Sequence, residues 1–502
     1  MMSQKQAETS KSIVRNVLYT FSTWLLPLGL SFFATPIIVK ALGDEDYGIY
    51  ALVLGFIGYS FNFGIGRAIT KYIAEYRASG ESQKIKDVIS ATFFLNIAVG
   101  LFGVTAICLL ANWLVIDVFR IEADAQSKSI QSFYIASATI FFLMLNQVFN
   151  AVLQGIHRFD VYSKIFNFNS VALLLGNIIL ALYGYGLIVL LVWNLMITAI
   201  TCVVYAVSAK KLLPEFGISF KFGRETLKLV LTFSFGIIGY QILANILLLF
   251  ERGWITRQLG AESLTYYVVP MMLGIYIHSF ISSLMLVIFP LASELKDKKE
   301  RLLKLYTKAT KIVVFLVVFM ATTLIVESKF FLTLWMGAEF AERSAVLLVF
   351  HTITFSLVAI QIVSWQMTEG LGYPNYNFKI FSICLVLSLT LMFFLTNDYA
   401  SPGIAFARLV GFGTIFFSIF YVEKWFFNNV QIKLWFKIIG TLGVSAVLAA
   451  IVEKLLISNF SFSWLTFIFS VICGGLVYCS MVWLLGFITE DERQLVKNIL
   501  KR

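Results

Sequence analysis

Apolar stretches of about twenty residues follow one another along almost the whole chain, parted only by short clusters of charge. A helix needs about 20 predominantly apolar residues to cross hydrocarbon. The runs place helices at 13–39, 46–68, 88–116, 131–154, 165–184, 186–208, 226–250, 264–290, 309–327, 344–368, 378–396, 402–422, 436–456 and 464–486. The pattern predicts an all-α polytopic membrane protein with about fourteen transmembrane helices. An even number of crossings returns the chain to the side on which it began. Lys and Arg crowd the loops on that side while Asp and Glu divide evenly, so the positive-inside rule places both termini in the cytoplasm. The richest of these loops, Glu294 to Lys311, carries mixed charge at helical spacing. It reads either as an amphipathic extension lying in the interface or as solvated charge that fixes topology. Trp113, Trp254, Trp335, Trp425, Trp435, Trp464 and Trp483 stand near predicted helix ends, where the amphipathic ring anchors in the headgroup layer.

Composition excludes most other classes. Of 502 residues, 59% are hydrophobic and 13% charged, whereas a soluble chain carries about 25% charged residues. An enzyme active site would have to lie within the membrane or in very short loops. The net charge of +11 comes from basic clusters between spans, so no nucleic-acid partner is expected. Cys108, Cys202, Cys384, Cys473 and Cys479 lie inside apolar runs and read as small buried hydrophobes. The polar segment Met1 to Ser12 precedes an apolar run too long for a signal-peptide core, so the first helix is expected to stay.

A short internal repeat sets the domain organisation. Leu42-Gly43-Asp44-Glu45 with Tyr50 recurs as Leu259-Gly260-Ala261-Glu262 with Tyr267, each followed by a helix and a charged loop. An offset of six helices preserves orientation, the parallel class of transporter repeat. The expected lobes are 13–208 and 226–422, six helices each, with 436–486 as two additional C-terminal helices. Pro27 and Pro36 in the first helix, and Pro270 and Pro290 in the eighth, remove backbone hydrogen bonds. They read either as static kinks or as bends at a cavity.

Charged and amide groups inside these spans are the functional candidates, because burial in hydrocarbon costs several kcal/mol and normally demands a cavity or a partner. Arg408 lies inside helix 12 and is the clearest case. Glu369 closes helix 10, Arg67 closes helix 2, and Glu251-Arg252 close helix 7, where each either faces a cavity or snorkels to the interface. On helix 7, Gln241, Asn245 and Arg252 lie within about 40° of one another at ~100° per residue, a polar stripe on an otherwise apolar helix. Helix 4 carries Asn146, Asn150 and Gln154 at four-residue spacing, with Gln147 beside them. Such a stripe also serves as glue between helices. His278 and His351 are weaker candidates as proton carriers. No phosphate-loop motif G-x-x-x-x-G-K-[ST] and no H-E-x-x-H motif occurs, and neither cofactor nor metal is expected. A cavity with arginines suits an anionic substrate.

The quoted residues also carry a resemblance. Arg15-Asn16, Ala34-Thr35-Pro36-Ile37, Leu42-Gly43, Asp46-Tyr47-Gly48-Ile49-Tyr50, Gly64-Ile65-Gly66-Arg67-Ala68 and Lys71-Tyr72-Ile73-Ala74-Glu75 resemble the N-terminal lobe of Wzx-type polysaccharide flippases. These are the O-antigen-transporter-like proteins of the multidrug/oligosaccharidyl-lipid/polysaccharide exporter superfamily. Glu251-Arg252 to Leu259-Gly260, Phe289-Pro290-Leu291, Leu334 to Phe340, Gly370 to Pro374 and Gly403 to Ala407 are similar to the second lobe. The likeness spans most of the chain without one diagnostic motif. It implies a flippase in the bacterial cytoplasmic (inner) membrane that moves an undecaprenyl-pyrophosphate-linked oligosaccharide outward by ion-coupled alternating access, for surface polysaccharide such as O-antigen. Two helices beyond a twelve-helix core also occur in the related peptidoglycan-precursor flippases, where they help to form a groove for the lipid tail. The resemblance implies membrane lipids, a coupling proton or sodium ion, and polysaccharide polymerase and chain-length proteins as partners.

On this reading Arg15, Arg67, Arg252 and Arg408 hold the pyrophosphate, which guanidinium groups bind bidentately. Asn146, Asn150, Gln241 and Asn245 meet sugar hydroxyls, and Glu251 or Glu369 couples the ion. Family members often carry Asp where this chain has Glu251. Two alternatives stay open: a multidrug extruder of the same superfamily, which needs an acidic aromatic cavity, and a non-transporting scaffold for polysaccharide assembly.

Overall fold

The computed structural model describes residues 22–488 except 24, 60–65, 221–222, 286–287, 289–290, 293–294 and 296–297. The described residues contain helices and no strand. In chain order the helices are α1 Leu25–Leu42, α2 Asp44–Tyr59, α3 Gly66–Ser79, α4 Ser82–Trp113, α5 Ala123–Gly155, α6 Phe159–Leu182, α7 Leu187–Leu212 and α8 Arg224–Met285. They continue as α9 Lys299–Val326, α10 Ser328–Met336, α11 Ala338–Gly370, α12 Pro374–Gly413, α13 Phe416–Tyr421, α14 Ile432–Asn459 and α15 Trp464–Leu484. Single π-helical turns extend α4 over Leu114–Val118 and α13 over Val422–Phe426.

Eleven helices among the described residues are long and apolar enough to cross a membrane. Two of these, Gln241–Met285 and Asn375–Phe426, contain a non-helical residue, Gly260 in α8 and Ala400 in α12. Each break falls between two predicted spans, so each long helix is two crossings end to end, and α2 supplies most of a further predicted span. The chain is therefore a multi-pass membrane protein of the expected architecture. Its exterior agrees: Leu109, Val203, Phe436 and Leu465 are exposed, a burden in water but not where lipid tails are the solvent.

The breaks have local causes. Gly43 (φ 80°) and Gly260 (φ 85°) both occupy the left-handed region, where a Cβ would crowd the backbone. The two Leu-Gly copies of the sequence repeat thus share a positive φ at their glycine. Ala400 (φ 48°) precedes Pro402, which lacks the N–H a continuous helix requires. Pro290 lies outside the described residues.

The chain divides into two compact units, 1–265 and 266–502. In the first, Ile69 and Ile73 of α3, Ile85 and Ile89 of α4, Val148 and Val152 of α5 and Cys202 and Tyr205 of α7 form one core. In the second, Ile277 and Ile281 of α8 pack with Leu302 and Val313 of α9 and Val363 and Met367 of α11. A separate core joins Val314 of α9 to Ile438 and Leu442 of α14 and to Tyr478 and Val482 of α15. The two additional C-terminal helices are thus packed on α9.

Several helices outrun their apolar stretches, because polar turns continue past the hydrocarbon-like segment. The charged run from Lys299 onward is the helical start of α9. The first arm of α8 runs on as helix to 259, so Glu251 and Arg252 lie within it and do not close it. Arg67 stands in the first turn of α3.

Candidate functional site

Each unit holds its own group of polar residues. In the first, the stripe on α8 is real at its start: Gln241 Nε2 donates to Asn245 Oδ1 over 3.2 Å, and Asn245 is buried. Farther along the arm, Arg252 lies against α2, where Gly55 leaves room for it. A Cβ at position 55 would stand 2.6 Å from both Cδ and Nε of the arginine. The guanidinium carbon sits 5.4 Å from the centre of the Tyr59 ring, a cation–π arrangement. Nε and Nη1 of Arg252 are buried without a hydrogen-bond partner. A guanidinium has five N–H donors and no acceptor; here packing buries Nε and Nη1 with no hydrogen-bond acceptor beside them. Its neighbour Glu251 is 1% exposed, which a carboxylate at a snorkelling helix end would not be.

The α5 amides are held more tightly. Asn146 Nδ2 donates to the Thr198 carbonyl of α7 at 3.3 Å, a bond that joins two helices. Asn150 Oδ1 accepts from Gln154 Nε2 at 3.5 Å on its own helix. Nearby, Gly66 packs against the Gln147 carbonyl, bringing the start of α3, and with it the backbone of Arg67, against α5. The Arg67 side chain and all of Arg15 lie outside the described residues.

Two further polar groups of this unit escape a linear reading. Tyr50 Oη accepts from Asn177 Nδ2 at 3.1 Å and from Asn194 Nδ2 at 3.0 Å, a buried knot joining α2, α6 and α7. Arg257 Nη1 donates to the carbonyls of Asp117 (2.6 Å) and Val118 (2.8 Å), capping the π-turn whose last carbonyls lack helical partners. Arg257→Leu is expected to destabilise the first unit by about 1–2 kcal/mol, since charge-assisted bonds are worth about 1.5–3 kcal/mol and this side chain is partly solvated. A lowered Tm in detergent would register the loss; an unchanged Tm would mean the cap carries no energy.

In the second unit the centre is Arg408 on α12, 3% exposed. Its guanidinium carbon lies 5.0 Å from the Phe355 ring of α11 and 5.4 Å from the Phe412 ring. Nη1 approaches the Met271 sulfur of α8 at 3.5 Å. His351 of α11 is fully buried, with its ring edge-on to Tyr267 at 4.6 Å and close enough to Arg408 to feel its charge. Glu369 is not part of this group. It lies eighteen positions past His351, about 27 Å along a helix, and accepts a hydrogen bond from Trp365 Nε1 at 2.9 Å. Among the described residues no group of three His, Cys, Asp or Glu gathers to hold a metal.

Glu423, also missed in the sequence, sits buried in the π-turn after α13. It accepts from Tyr306 Oη (2.8 Å), Trp435 Nε1 (2.7 Å) and the Gln431 backbone N–H (2.8 Å). Three donors hold this carboxylate and fasten the start of α14 to α9. The sequence offered no signal for it, because its partners come from other parts of the chain.

The sequence profile described as polysaccharide biosynthesis protein matches residues 37–345. A protein of Shigella flexneri described as "Putative O-antigen transporter" is 21% identical over 397 residues, covering 78% of this chain and 93% of its own. Among solved structures, the lipid II flippase MurJ in an inward closed conformation superposes with a TM-score of 0.71 at 14% identity, covering 96% of this chain and 100% of its own. An inward-facing multidrug resistance MATE family transporter of the MOP superfamily gives a TM-score of 0.67 at 15% identity, covering 80% and 96%. At such identities the superpositions show a shared fold, and the proteins that share it are transporters rather than enzymes.

Proposed function

Because the chain belongs to the polysaccharide biosynthesis protein family, we propose that it is a flippase for an undecaprenyl-pyrophosphate-linked oligosaccharide, carrying it from the cytoplasmic to the outer leaflet of the inner membrane. The observation that carries this reading is Arg252, whose buried Nε and Nη1 have no hydrogen-bond partner. A half-buried cation with two unbonded donor atoms favours a diphosphate over the cationic amphiphiles of a multidrug extruder. Arg252 and Arg408, with Arg15 and Arg67, take the pyrophosphate. Gln241 and Asn245 meet sugar hydroxyls, with Asn146 and Asn150 as the more firmly held amides. Two lobes of six helices alternate access, both termini lie in the cytoplasm, and an ion gradient acting through Glu251 or Glu369 drives the cycle. Polymerase and chain-length proteins receive the product.

The test is complementation of a bacterial strain lacking its own polysaccharide flippase, scored by surface glycan and by lipid-linked oligosaccharide accumulating inside. The wild-type chain is expected to restore glycan, and Arg252→Ala to lower it at least tenfold, since one charge-assisted contact to phosphate is worth about 1.5–3 kcal/mol. Wild-type transport by a normally inserted Arg252→Ala protein would remove its assigned role. Ethidium or norfloxacin resistance without glycan would favour the extruder.

A further inference from the structure

Two buried carboxylates in the second unit take no part in the site described above. Glu327 caps the C-terminal end of α9 and is 1% exposed; Glu453 of α14 is fully buried. They are linked through three helices by one-turn spacings. Thr323 and Glu327 stand four residues apart at the end of α9, and Ser470 and Gly474 stand four apart on α15. Thr323 Oγ1 donates to Glu453 Oε1 at 3.0 Å, and Ser470 Oγ donates to Glu327 Oε1. Gly474 faces Glu453, and a Cβ there would overlap the carboxylate, 2.6 Å from its Cγ and 2.8 Å from its Cδ. The bare glycine makes the room the acid occupies. Glu453 lies within reach of the charge on Glu327.

Each carboxylate thus receives one neutral hydroxyl, and Oε2 of both is buried without a hydrogen-bond partner. The other ionisable groups on the surrounding helices are engaged or turned away. On α9, Lys311 lies over the Phe487 ring and Tyr306 donates to Glu423. Lys329 of α10 pairs with Glu342 at the surface, and Lys454 of α14 is exposed. On α15, Tyr478 donates to the Phe315 carbonyl at 2.9 Å, Cys473 is half-buried and Cys479 exposed. On α11, Arg343 pairs with Glu339, and His351 packs on Tyr267. Two negative charges in one apolar site with only hydroxyl donors are not both tolerated. A positive charge must enter.

We propose that Glu327 and Glu453 form a proton-binding site, in which one proton taken from water is held by the carboxylate pair at the junction of α9, α14 and α15. A proton fits better than a metal cation, because a single free carboxylate oxygen suffices for it, whereas a hard cation takes about six oxygen ligands. The site lies six residues, about 9 Å, from the connection between α14 and α15. Proton binding here does not depend on what the protein transports. It differs from the coupling roles proposed for Glu251 and Glu369.

The experiment is infrared difference spectroscopy on the full chain in nanodiscs, between neutral and alkaline buffer. The wild-type protein is expected to lose the carbonyl stretch of one protonated carboxylic acid, a band that Glu453→Gln and Glu327→Gln each remove or displace. Thr323→Val is expected to shift its frequency, since it removes the hydroxyl bonded to Glu453, while Glu423→Gln leaves it in place. Circular dichroism and elution confirm that each variant is folded. A band unaffected in folded Glu453→Gln and Glu327→Gln overturns the proposal. So does loss of the band on replacing choline with sodium at constant pH, which would mark the pair as a sodium site.

Discussion

Gly48→Leu is expected to leave little folded protein in the membrane. Gly48 on α2 faces the backbone just past the α8 break: a Cβ built on it would overlap the Ala261 carbonyl oxygen and stand 2.6 Å from its carbon. Beside this contact Thr265 Oγ1 donates to the Asp44 carbonyl at 2.5 Å. The Ala261 carbonyl cannot move aside as a flexible side chain would, because it is main chain held in helix just past the left-handed Gly260. Overpacking of side chains alone costs about 1–3 kcal/mol, so a backbone-on-backbone conflict is expected to cost about 3 kcal/mol or more, a large share of a marginal stability. Membrane-inserted yield and Tm in detergent are the readouts. Gly440→Leu, where a Cβ meets nothing within 4 Å, serves as the control for the added apolar bulk. Equal Tm values for the two variants would show that the α2–α8 approach is loose.

This contact also shows how far the chain could be read before its structure. The Leu-Gly repeat was visible as a pattern, and its meaning is physical: both glycines take positive φ where one helix stops and another starts. Hydropathy located the spans because the bilayer imposes a length that a sequence window measures. It misjudged the end of the seventh helix, since the stretch from Glu251 to Leu259 is too polar to count as a span. What keeps that stretch helical is packing: Arg252 on Gly55 and Arg257 on the carbonyls of the π-turn. The amide stripes were legible as periodicity, but periodicity cannot tell a cavity from a partner. Asn146 turned out to be bonded to Thr198, while Gln241 and Asn245 are bonded to each other. Least legible were Glu327, Glu423 and Glu453. Each looks in sequence like an ordinary charge near a helix end, and only the folding of distant helices around it shows that it is buried. Their partners, Ser470, Tyr306 with Trp435, and Thr323, are remote from them or chemically unremarkable in a linear reading.

Arg408 was legible because a charge in the middle of an apolar run has no bland location, and the structure sharpens what it should do. Its guanidinium lies over the Phe355 and Phe412 rings and approaches the Met271 sulfur, contacts that suit a flat, weakly hydrated cation. Arg408→Leu is expected to reduce transport at least a hundredfold while leaving the protein folded. Burying a charge is costly, and Leu keeps apolar contact with Phe355 and Phe412, so Tm separates a structural role for Arg408 from one in transport. Arg408→Lys keeps the charge and loses the plane, and is expected to retain no more than about a tenth of the flux, a loss of about 1.4 kcal/mol in binding the anion. Both variants are to be compared with wild type in the complementation assay and by Tm. A folded Arg408→Leu protein that restores surface glycan to the wild-type level would show that the second unit contributes its arginine to packing alone, leaving Arg252 as the remaining candidate with a described side chain for the pyrophosphate.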